Sequence, residues 1–413
     1  MDVMFESVAG LDVHKKTVVA CVRRVGAGGR VWKEVRTVAT MTHNLQALAA
    51  WFKEHQVTHV AMESTGILWR PVYNLLEHQF TVLVVNARHL KQVPGRKTDV
   101  KDCEWIAQLL QCGLLRASFV PPRERRELRE LTRHRVKLVQ QHTQVVNRLH
   151  AVLQDANIKL SSVATNILGA SGRDMIEALQ RGEDDPGQLA ALARGRLRAK
   201  LPQLRLALEG QVRAHHRFLL ALLLDQLDYL SAATDKISQR IEEISSPSFR
   251  AAVELLTTAD GIQQRTAETL LAEIGTDMTP FPTHKHLCSW AGVCPGNNES
   301  AGKRKSGKTP KGNRWVRGAL GEAAWAASHK KDTYLAAQFR RLVPRRGKKR
   351  AIVAVGHSLL VATYYMLKRD TAYADLGAAH FERLDPDRLI RYHLTKLQAL
   401  GRHLKLVPIE DAA

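Results

Sequence analysis

The first 121 residues alternate between short apolar runs and amphipathic stretches of helical length. The apolar runs are rich in β-branched residues, which is typical of buried or half-buried strands. Strands are predicted at residues 7–12, 17–22, 31–37, 60–63 and 81–85, and helices at residues 44–55, 69–78 and 99–111. Strands that come first in hairpins and then alternate with helices predict a mixed α/β sheet.

From residue 122 onward the pattern changes to long helices. Pro121–Pro122 ends the first region, and residues 123–156 place apolar side chains in steps of three, four or multiples of seven. This seam consists of Leu128, Leu131, Leu138, Val145, Leu149 and Val152. It is interrupted at Arg135 and His142, and the other helix faces are rich in arginine. We expect a second long helix at residues 211–244 to form an antiparallel arm with the first, and an ordinary helical bundle is the alternative.

The third region is also helical but has more turns. Residues 253–274 fit a helix–hairpin–helix, whose turn can present backbone N–H groups to a phosphate. Further helices fit residues 285–291, 313–328, 334–342 and 351–368, and the tail carries no interpretable motif. We therefore predict an N-terminal α/β domain (1–121), a helical coiled-coil linker or oligomerisation arm (122–248), a mostly helical C-terminal domain (249–370) and an extension (371–413).

Composition adds a strong electrostatic signal. The chain has 62 Lys and Arg against 40 Asp and Glu, and its net charge of +22 points to a polyanionic partner. An uncommitted basic surface and an acidic membrane surface are the alternatives. No apolar run approaches the ~20 residues of a membrane span, and no secretory leader is visible. Five cysteines without a CxxC pair argue against a disulfide framework or zinc site and fit a reducing cytoplasm.

Four carboxylates fall at the ends of predicted elements. Asp12 ends the first strand, Glu63 ends the fourth, and Asp99 and Asp102 lie on one face at the start of a helix. If they meet, they repel one another unless a divalent cation neutralises them, and hard oxygen ligands select Mg²⁺ or Mn²⁺. Two ions about 4 Å apart could bind the attacking and leaving oxygens of a phosphodiester.

Each carboxylate taken singly has a structural alternative. Asp99 makes a good helix N-cap, and Asp102 stands where a capping box places an acid. Glu63 could end its strand in solvent. Asp12 fits such an alternative less well, because it directly follows an apolar strand where an unpartnered charge is costly. The combination favours a metal site.

A polar, glycine-rich stretch at residues 294–314 predicts a loop that could carry out serine chemistry. From Ser300 to residue 320 the sequence is free of acids, and its cations are Lys303, Arg304, Lys305, Lys308, Lys311, Arg314 and Arg317. Such cations would lower the cost of a serine alkoxide and stabilise charge on a phosphoryl group. Chemistry alone does not distinguish Ser300 from Ser306, nor a nucleophile from a loop that only grips phosphate. A second basic run widens the predicted nucleic-acid surface with Arg340, Arg341, Arg345 and Arg346.

Four segments together resemble the IS110 family of insertion-sequence transposases, which is related to the Piv-type DNA invertases. The segments are GLDVHK (10–15), MESTG (62–66), KTDVKD (97–102) and NNESAGKRKSGKTPKGNRWVR (297–317). The resemblance implies a RuvC-like, ribonuclease-H-like N-terminal domain whose DEDD metal site is Asp12, Glu63, Asp99 and Asp102. It also implies a C-terminal transposase domain with Ser300 as nucleophile. Cys103 takes the place of an alanine that is usual in the family.

The resemblance further implies a mechanism and partners. Donor and target DNA strands would be exchanged through a transient 5′-phosphoserine link. A non-coding bridge RNA from the same element would guide the reaction, one loop pairing with target DNA and another with donor DNA. The assembly would be a tetramer, a dimer of dimers, in which the carboxylates of one subunit meet the serine of another. The protein would act in the bacterial cytoplasm, associated with the nucleoid.

Two other functions remain open from the sequence. A structure-selective nuclease, such as a Holliday-junction resolvase, would use the same carboxylates with water as nucleophile and would not need the serine. A non-catalytic nucleic-acid-binding protein would need the basic runs but neither the carboxylates nor Ser300. Only the recombinase forms a covalent protein–DNA adduct.

Overall fold

The computed structural model describes residues 3–26, 29–64, 66–86, 90, 102–296, 298–383 and 386–402. The chain divides into two compact units, Met1–Pro122 and Arg123–Ala413.

The N-terminal unit contains a five-stranded mixed sheet. Its strands are β1 (Ser7–Val13), β2 (Thr17–Val25), β3 (Val31–Ala39), β4 (His59–Glu63) and β5 (Thr81–Val85), and its helices are α1 (Thr42–Glu54), α2 (Trp69–Leu76) and α3 (Asp102–Gln111). The spatial order is β3-β2-β1-β4-β5. The first three strands pair antiparallel, whereas β4 is parallel to both β1 and β5. The predicted mixed sheet is confirmed.

Helices cover both faces of this sheet, and strand alternation decides which residues face which helix. Leu11 and Met62, which are paired in register, pack with α1 and α2 in one core cluster. On the opposite face, Val8 and Ala61 pack against Ile106 and Leu109 of α3. Asp12 and Glu63 follow Leu11 and Met62 by one residue, so they belong to the α3 face.

The second unit is mostly helical. Its helices are α4 (Arg123–Asp155), α5 (Leu160–Val163), α6 (Ala170–Arg181), α7 (Pro186–Ala191), α8 (Leu201–Leu208), α9 (Ala214–Ile244), α10 (Pro247–Thr257), α11 (Gln264–Ile274), α12 (His284–Ala291), α13 (Arg314–Ser328), α14 (Tyr334–Arg346), α15 (Lys348–Arg369), α16 (His380–Arg383) and α17 (Pro386–Ala399), with a 3-10 turn at Gly195–Lys200. A short antiparallel hairpin, β6 (Asn298–Ser300) and β7 (Lys303–Ser306), lies between α12 and α13.

The two long helices α4 and α9 are antiparallel. Leu128, near the start of α4, shares a core cluster with Ile241, near the end of α9. At the other end, Asp155 of α4 bonds His216 at the start of α9. The short helices α5 to α8 pack onto this end of the pair and complete a second core. The apolar seam of α4 thus has its partner within the chain, and oligomerisation is not needed to bury it.

Arg135, which interrupts the apolar seam, is buried together with an ion-pair partner. Its guanidinium donates to the Glu268 carboxylate of α11 at 2.6 Å, and both side chains are almost fully buried. A buried charge is tolerated when its partner is equally buried and well oriented. The interruption therefore marks a place where α4 contacts α11.

One helix, α15, is long and apolar enough to cross a membrane by length and composition. Its residues Val355, Leu359, Leu360 and Tyr364 are buried in the core of the second unit. A core helix passes the same test, and the packing of α15 accounts for its apolar composition.

Candidate active site

Asp12 and Glu63 stand at the carboxyl ends of neighbouring parallel strands. The register pairs Leu11 of β1 with Met62 of β4, and each carboxylate is the next residue along its strand. Parallel strands end at the same edge of a sheet, so the two side chains emerge side by side on the α3 face. Both are half-buried, which reduces water screening of charges between them.

A glycine brings the start of α3 to this edge. Gly10 lies two residues before Asp12 and faces the same side of the sheet. A Cβ on Gly10 would come within 2.3 Å of the Cys103 carbonyl oxygen and 2.4 Å of the Ala107 nitrogen. Because only a hydrogen separates strand from helix here, α3 packs directly on β1. Its first residue, Asp102, therefore begins beside the strand that carries Asp12 near its end. Asp99 lies outside the described residues.

His14 is a neighbour of this site that the sequence analysis did not select. Its Nε2 lies 3.1 Å from the Asp12 Oδ2, and its backbone N–H donates to the Thr17 carbonyl at the turn between β1 and β2. The ring can thus hold one Asp12 oxygen and leave the other for a ligand. The signal available in the sequence was the two-residue spacing in Asp12-Val13-His14, which keeps both side chains on one strand face.

Cys103 has a packing role beside the carboxylates. It is buried with Cys21 and Ala107 between α3 and the sheet. Burial raises the pKa of the Cys21 thiol to about 12, and the neighbouring Cys103 and Glu104 add to this shift. A thiol held in its neutral form is a poor nucleophile and a poor metal ligand. Cys21 and Cys103 therefore fill space between α3 and the sheet.

The predicted loop around Ser300 is a β-hairpin. Ser300 is the last residue of β6 and pairs with Lys303 of β7 across a two-residue turn. Both turn residues, Ala301 and Gly302, have positive φ (+50° and +72°), as a type I′ turn requires. The prediction of an irregular loop was wrong because pairing here involves backbone groups and needs no apolar alternation.

Ser306 has a local role that the sequence did not reveal. Its Oγ accepts a hydrogen bond from the Lys308 backbone N–H at 3.1 Å, where the chain leaves β7. The backbone of Ser300 ends β6 at the hairpin tip, in register with Lys303 of β7. The hydroxyl of Ser306 is thus engaged in turn formation.

The strand-end carboxylates and the serine hairpin fall within segments that match known families. A family described as "Transposase", of the DEDD type of IS110, matches residues 9–158, which include the strand-end carboxylates. The "Transposase IS116/IS110/IS902 family" matches residues 253–340, which include the serine hairpin. The chain belongs to the IS110 family of transposases.

This IS110-family transposase is also similar to the Sinorhizobium fredii protein y4qE, whose name describes a transposase. The two are 25% identical over 350 residues, which cover 84% of this chain and 74% of y4qE. As a transposase, the protein has DNA substrates, which it cuts and rejoins.

The carboxylate edge of the transposase fits a hard divalent cation. Carboxylate oxygens on two adjacent strand ends and on a helix start are the donors that Mg²⁺ and Mn²⁺ prefer. Among the described residues, this edge offers no thiolate, since the nearby Cys103 is buried in the apolar layer. DEDD transposases typically use a divalent metal, and the hard oxygen donors at this edge are compatible with one.

A second cluster of possible metal ligands lies far along the chain, where Asp155, His215 and His216 approach one another. Both nitrogens of the buried His216 ring are occupied: Nδ1 accepts from the Arg213 backbone N–H at 3.1 Å, and Nε2 donates to Asp155 at 2.8 Å. The hydrogen bond from His216 lowers the pKa of Asp155. These bonds cap the start of α9, so we interpret the cluster as structural.

The cations selected from sequence have different surroundings in the transposase. Those that are exposed are Lys303, Lys308, Lys311, Arg314, Arg317, Arg340, Arg341, Arg345 and Arg346. Of Arg304 and Lys305, the structure describes the backbone in β7. The run at residues 340–350 surrounds the corner between α14 and α15, where Gly347 has positive φ. Its exposed cations are available to a polyanion.

Several arginines of α4, by contrast, are used inside the protein. The Arg129 guanidinium donates to the carbonyls of Ala272 and Glu273 at the end of α11. Arg133 forms two hydrogen bonds with the Glu273 carboxylate. Burial lowers the pKa of Arg129 to about 10, although Glu273 opposes this shift. Arg129 and Arg133 therefore bind a helix terminus and a buried acid within the protein.

Proposed function

We propose that the protein is the transposase of an insertion sequence that exchanges donor and target DNA strands through a phosphoserine intermediate at Ser300. The observation that carries this proposal is the position of Ser300 at the tip of a type I′ hairpin, opposite Lys303. A tight turn restricts the backbone of the residue beside it, so that residue would meet a substrate in a fixed position. The neighbouring cations would stabilise both the serine alkoxide and the charge on the phosphoryl oxygens.

The proposed chemistry has two steps, and each step replaces one phosphorus–oxygen bond with another. In cleavage, the Ser300 Oγ attacks phosphorus and forms an O–P bond while the bond from phosphorus to the O3′ breaks. The serine proton passes to solvent, and the departing O3′ takes up a proton. In joining, the O3′ hydroxyl of the exchanged strand attacks the same phosphorus and Ser300 leaves. The phosphoserine conserves the bond energy, so no nucleotide cofactor is needed.

The carboxylates Asp12, Glu63, Asp99 and Asp102 would hold Mg²⁺ or Mn²⁺, which supplies charge neutralisation and Lewis acidity at the scissile phosphate. Asp12 and Glu63 at adjacent strand ends support this role, as does the close packing of α3 at Gly10. We propose that this unit has the RuvC-like fold, since its strand order and helix placement agree with that architecture. We propose a helix–hairpin–helix at α10 and α11.

A bridge RNA and a tetramer complete the proposal. The exposed cations near the hairpin and at the α14–α15 corner would hold the sugar–phosphate backbone, leaving sequence choice to base pairing. Subunits of a dimer of dimers would supply carboxylates and Ser300 to a shared site on bacterial DNA. These features come from the family resemblance and from the net charge of +22.

The nucleophile is tested by trapping the covalent adduct. Ser300→Ala should leave nucleic-acid binding intact and abolish both the adduct on a denaturing gel and strand cleavage. Ser306→Ala is the matched control, and it should keep the adduct because its hydroxyl only bonds the Lys308 N–H. An adduct that persists in Ser300→Ala would refute the assignment. Cleavage without any adduct would favour a resolvase-like nuclease, and binding without cleavage would favour a non-catalytic protein.

The metal and the guide are tested in the same reconstituted reaction. Asp12→Asn, Glu63→Gln and Asp102→Asn should each reduce recombination severely, and so should chelation. Full activity in excess chelator would exclude the metal from the mechanism. Sequence-specific exchange that survives removal of all RNA would exclude the guide. An active complex that is monomeric by light scattering would exclude a site shared between subunits.

A further inference from the structure

We infer that Glu273 and Asn313 form a positioning pair that holds the base of the Ser300 hairpin in register with the helical core. The inference rests on the proposed role of Ser300 as nucleophile. Neither residue would touch the substrate. Both would act by fixing where the hairpin begins and ends.

Glu273 is a fully buried acid at the end of α11, with 1% of its surface exposed. Arg133 of α4 donates to its Oε1 at 2.6 Å and to its Oε2 at 2.9 Å. The Asn313 Nδ2 donates to the same Oε2 at 2.7 Å. The acid thus joins three elements: α4, α11 and the residue immediately before α13. Such a buried charge is destabilising unless all its partners are in place.

Asn313 uses its single amide group for two purposes. The Oδ1 accepts hydrogen bonds from the backbone N–H groups of Trp315 (2.9 Å) and Val316 (3.2 Å) and so caps α13. The Nδ2 donates to Glu273. Because the two ends of the amide have opposite hydrogen-bonding character, only one orientation satisfies both sets of partners. The rotation of α13's first turn is thereby fixed relative to α11.

The chain segments that lead into and out of the hairpin are held just as closely. A Cβ on Gly312 would lie 2.2 Å from the Ala291 carbonyl oxygen, and one on Gly292 would lie 2.6 Å from the Gly312 nitrogen. Further along, the Gly296 N–H donates to the Lys308 carbonyl at 3.2 Å. The hairpin therefore stands on a narrow base of two backbones in contact. Asn313, the next residue after Gly312, ties this base to Glu273.

Stability alone is a weak explanation for this arrangement. A buried ion pair can often be replaced by apolar residues of similar volume without loss of stability. What apolar residues cannot supply is a directional bond to the cap of α13. The Trp315 ring also lies near both Arg314 (4.5 Å to the ring centroid) and Arg133 (5.7 Å), so Arg133 contacts both the acid and the first turn of α13. The network is suited to orientation.

The test reverses the donor and acceptor of one hydrogen bond. Asn313→Asp keeps an oxygen to cap α13 but places a carboxylate against Glu273. Covalent adduct formation at saturating DNA should slow by on the order of 10- to 100-fold, the effect of a displaced reacting group, while DNA affinity stays near that of the parent protein. Adding Glu273→Gln removes the repulsion between the two carboxylates, and part of the lost rate should return.

Controls separate positioning from folding and from the choice of nucleophile. Asn147→Asp makes the same chemical change on the exposed face of α4 and should have no effect. If Asn313→Asp does not fold, Asn313→Ser still caps the helix and removes only the donor to Glu273. An unchanged adduct rate in either folded variant, or a double variant no faster than Asn313→Asp, would overturn the inference. So would a rate loss fully matched by lost thermal stability. An adduct that persists in Ser300→Ala would instead overturn the proposed function.

Discussion

Replacing Gly10 by alanine tests the packing that brings α3 to the carboxylate edge. The new Cβ would lie 2.3 Å from the Cys103 carbonyl oxygen, 2.4 Å from the Ala107 nitrogen and 2.9 Å from the Ala107 Cα. All three atoms belong to the helix backbone, so no side-chain rotation can relieve the contact. The helix must move away from β1, and Asp102 moves with it.

The expected cost follows from this geometry. Ordinary contacts begin at 3.4 Å, so α3 has to retreat by about 1 Å, and overpacking of this kind costs about 1–3 kcal/mol. Alanine also has less backbone freedom than glycine in the unfolded chain, and this offsets less than about 1 kcal/mol of the lost stability. A net loss of about 1–2 kcal/mol lowers the Tm of a unit of this size by roughly 4–10 °C. A catalytic group displaced by 1 Å can lose on the order of 100-fold in rate.

Two measurements check this prediction. Hydrogen exchange should accelerate at the amides of α3, and Mg²⁺-dependent strand cleavage at saturating DNA should fall. Gly26→Ala is the matched control, because its Cβ would meet only the Arg30 carbonyl oxygen, at 3.5 Å. If Gly10→Ala exchanges and cleaves like Gly26→Ala, then α3 is not held against β1 as described, and the argument for Asp102 beside Asp12 fails.

Four further predictions concern the rest of the molecule. Arg135→Met leaves the Glu268 charge buried and unpaired, so denaturant unfolding should show a loss of about 3–5 kcal/mol, most of which Glu268→Leu in the same chain should recover. The His216 hydrogen bond lowers the pKa of Asp155, so the ionised Asp155 adds to the free energy of unfolding. This stabilisation is complete above the ordinary carboxyl pKa and is lost as pH falls through the lowered value. Asp155→Asn should therefore flatten the acid side of a plot of stability against pH. Duplex affinity should fall with salt, log K dropping by roughly 0.9 per log unit for each phosphate neutralised, whereas a salt-independent affinity would contradict a polyanion surface. The Cys21 thiol, with its pKa raised to about 12, should resist thiol reagents in the native protein at mildly alkaline pH, and rapid labelling there would contradict its burial.

Hydrophobic periodicity was sufficient to predict the sheet and the long helices. The strand predicted at residues 7–12 is β1 (Ser7–Val13), and the helix predicted at residues 123–156 is α4 (Arg123–Asp155). These elements bury a face or a stripe, so their sequences carry a period. The carboxylates were selected for a related reason: each follows an apolar run or begins a helix, where a charge is conspicuous, and their metal role stays a prediction.

Features that depend on partners distant in sequence could not be predicted. The arginines of α4 have the spacing of a solvated face, and only the fold reveals that Arg129 and Arg133 point to the end of α11. Glu273 was overlooked because a glutamate near a helix end is ordinary in sequence. The tail was uninterpretable, yet Asp375 accepts from the Tyr334 N–H at the start of α14, and Phe381 stacks on the Tyr334 ring.

Two sets of contacts lie at opposite ends of α4 in its antiparallel pair with α9. Arg133 donates a hydrogen bond to Glu273 near one end of α4, and Asp155 caps α9 at the other end. Arg133 and Asp155 are 22 residues apart, which is about 33 Å along the helix at 1.5 Å per residue. The segment that connects the two helices, residues 157–213, packs on that far end and shares a core with α4 and α9. A fluorescent label or an affinity handle inserted there would report on the assembly while leaving the hairpin base untouched. Substitutions that deplete this shared core should therefore destabilise the far ends of both long helices before they reach the hairpin.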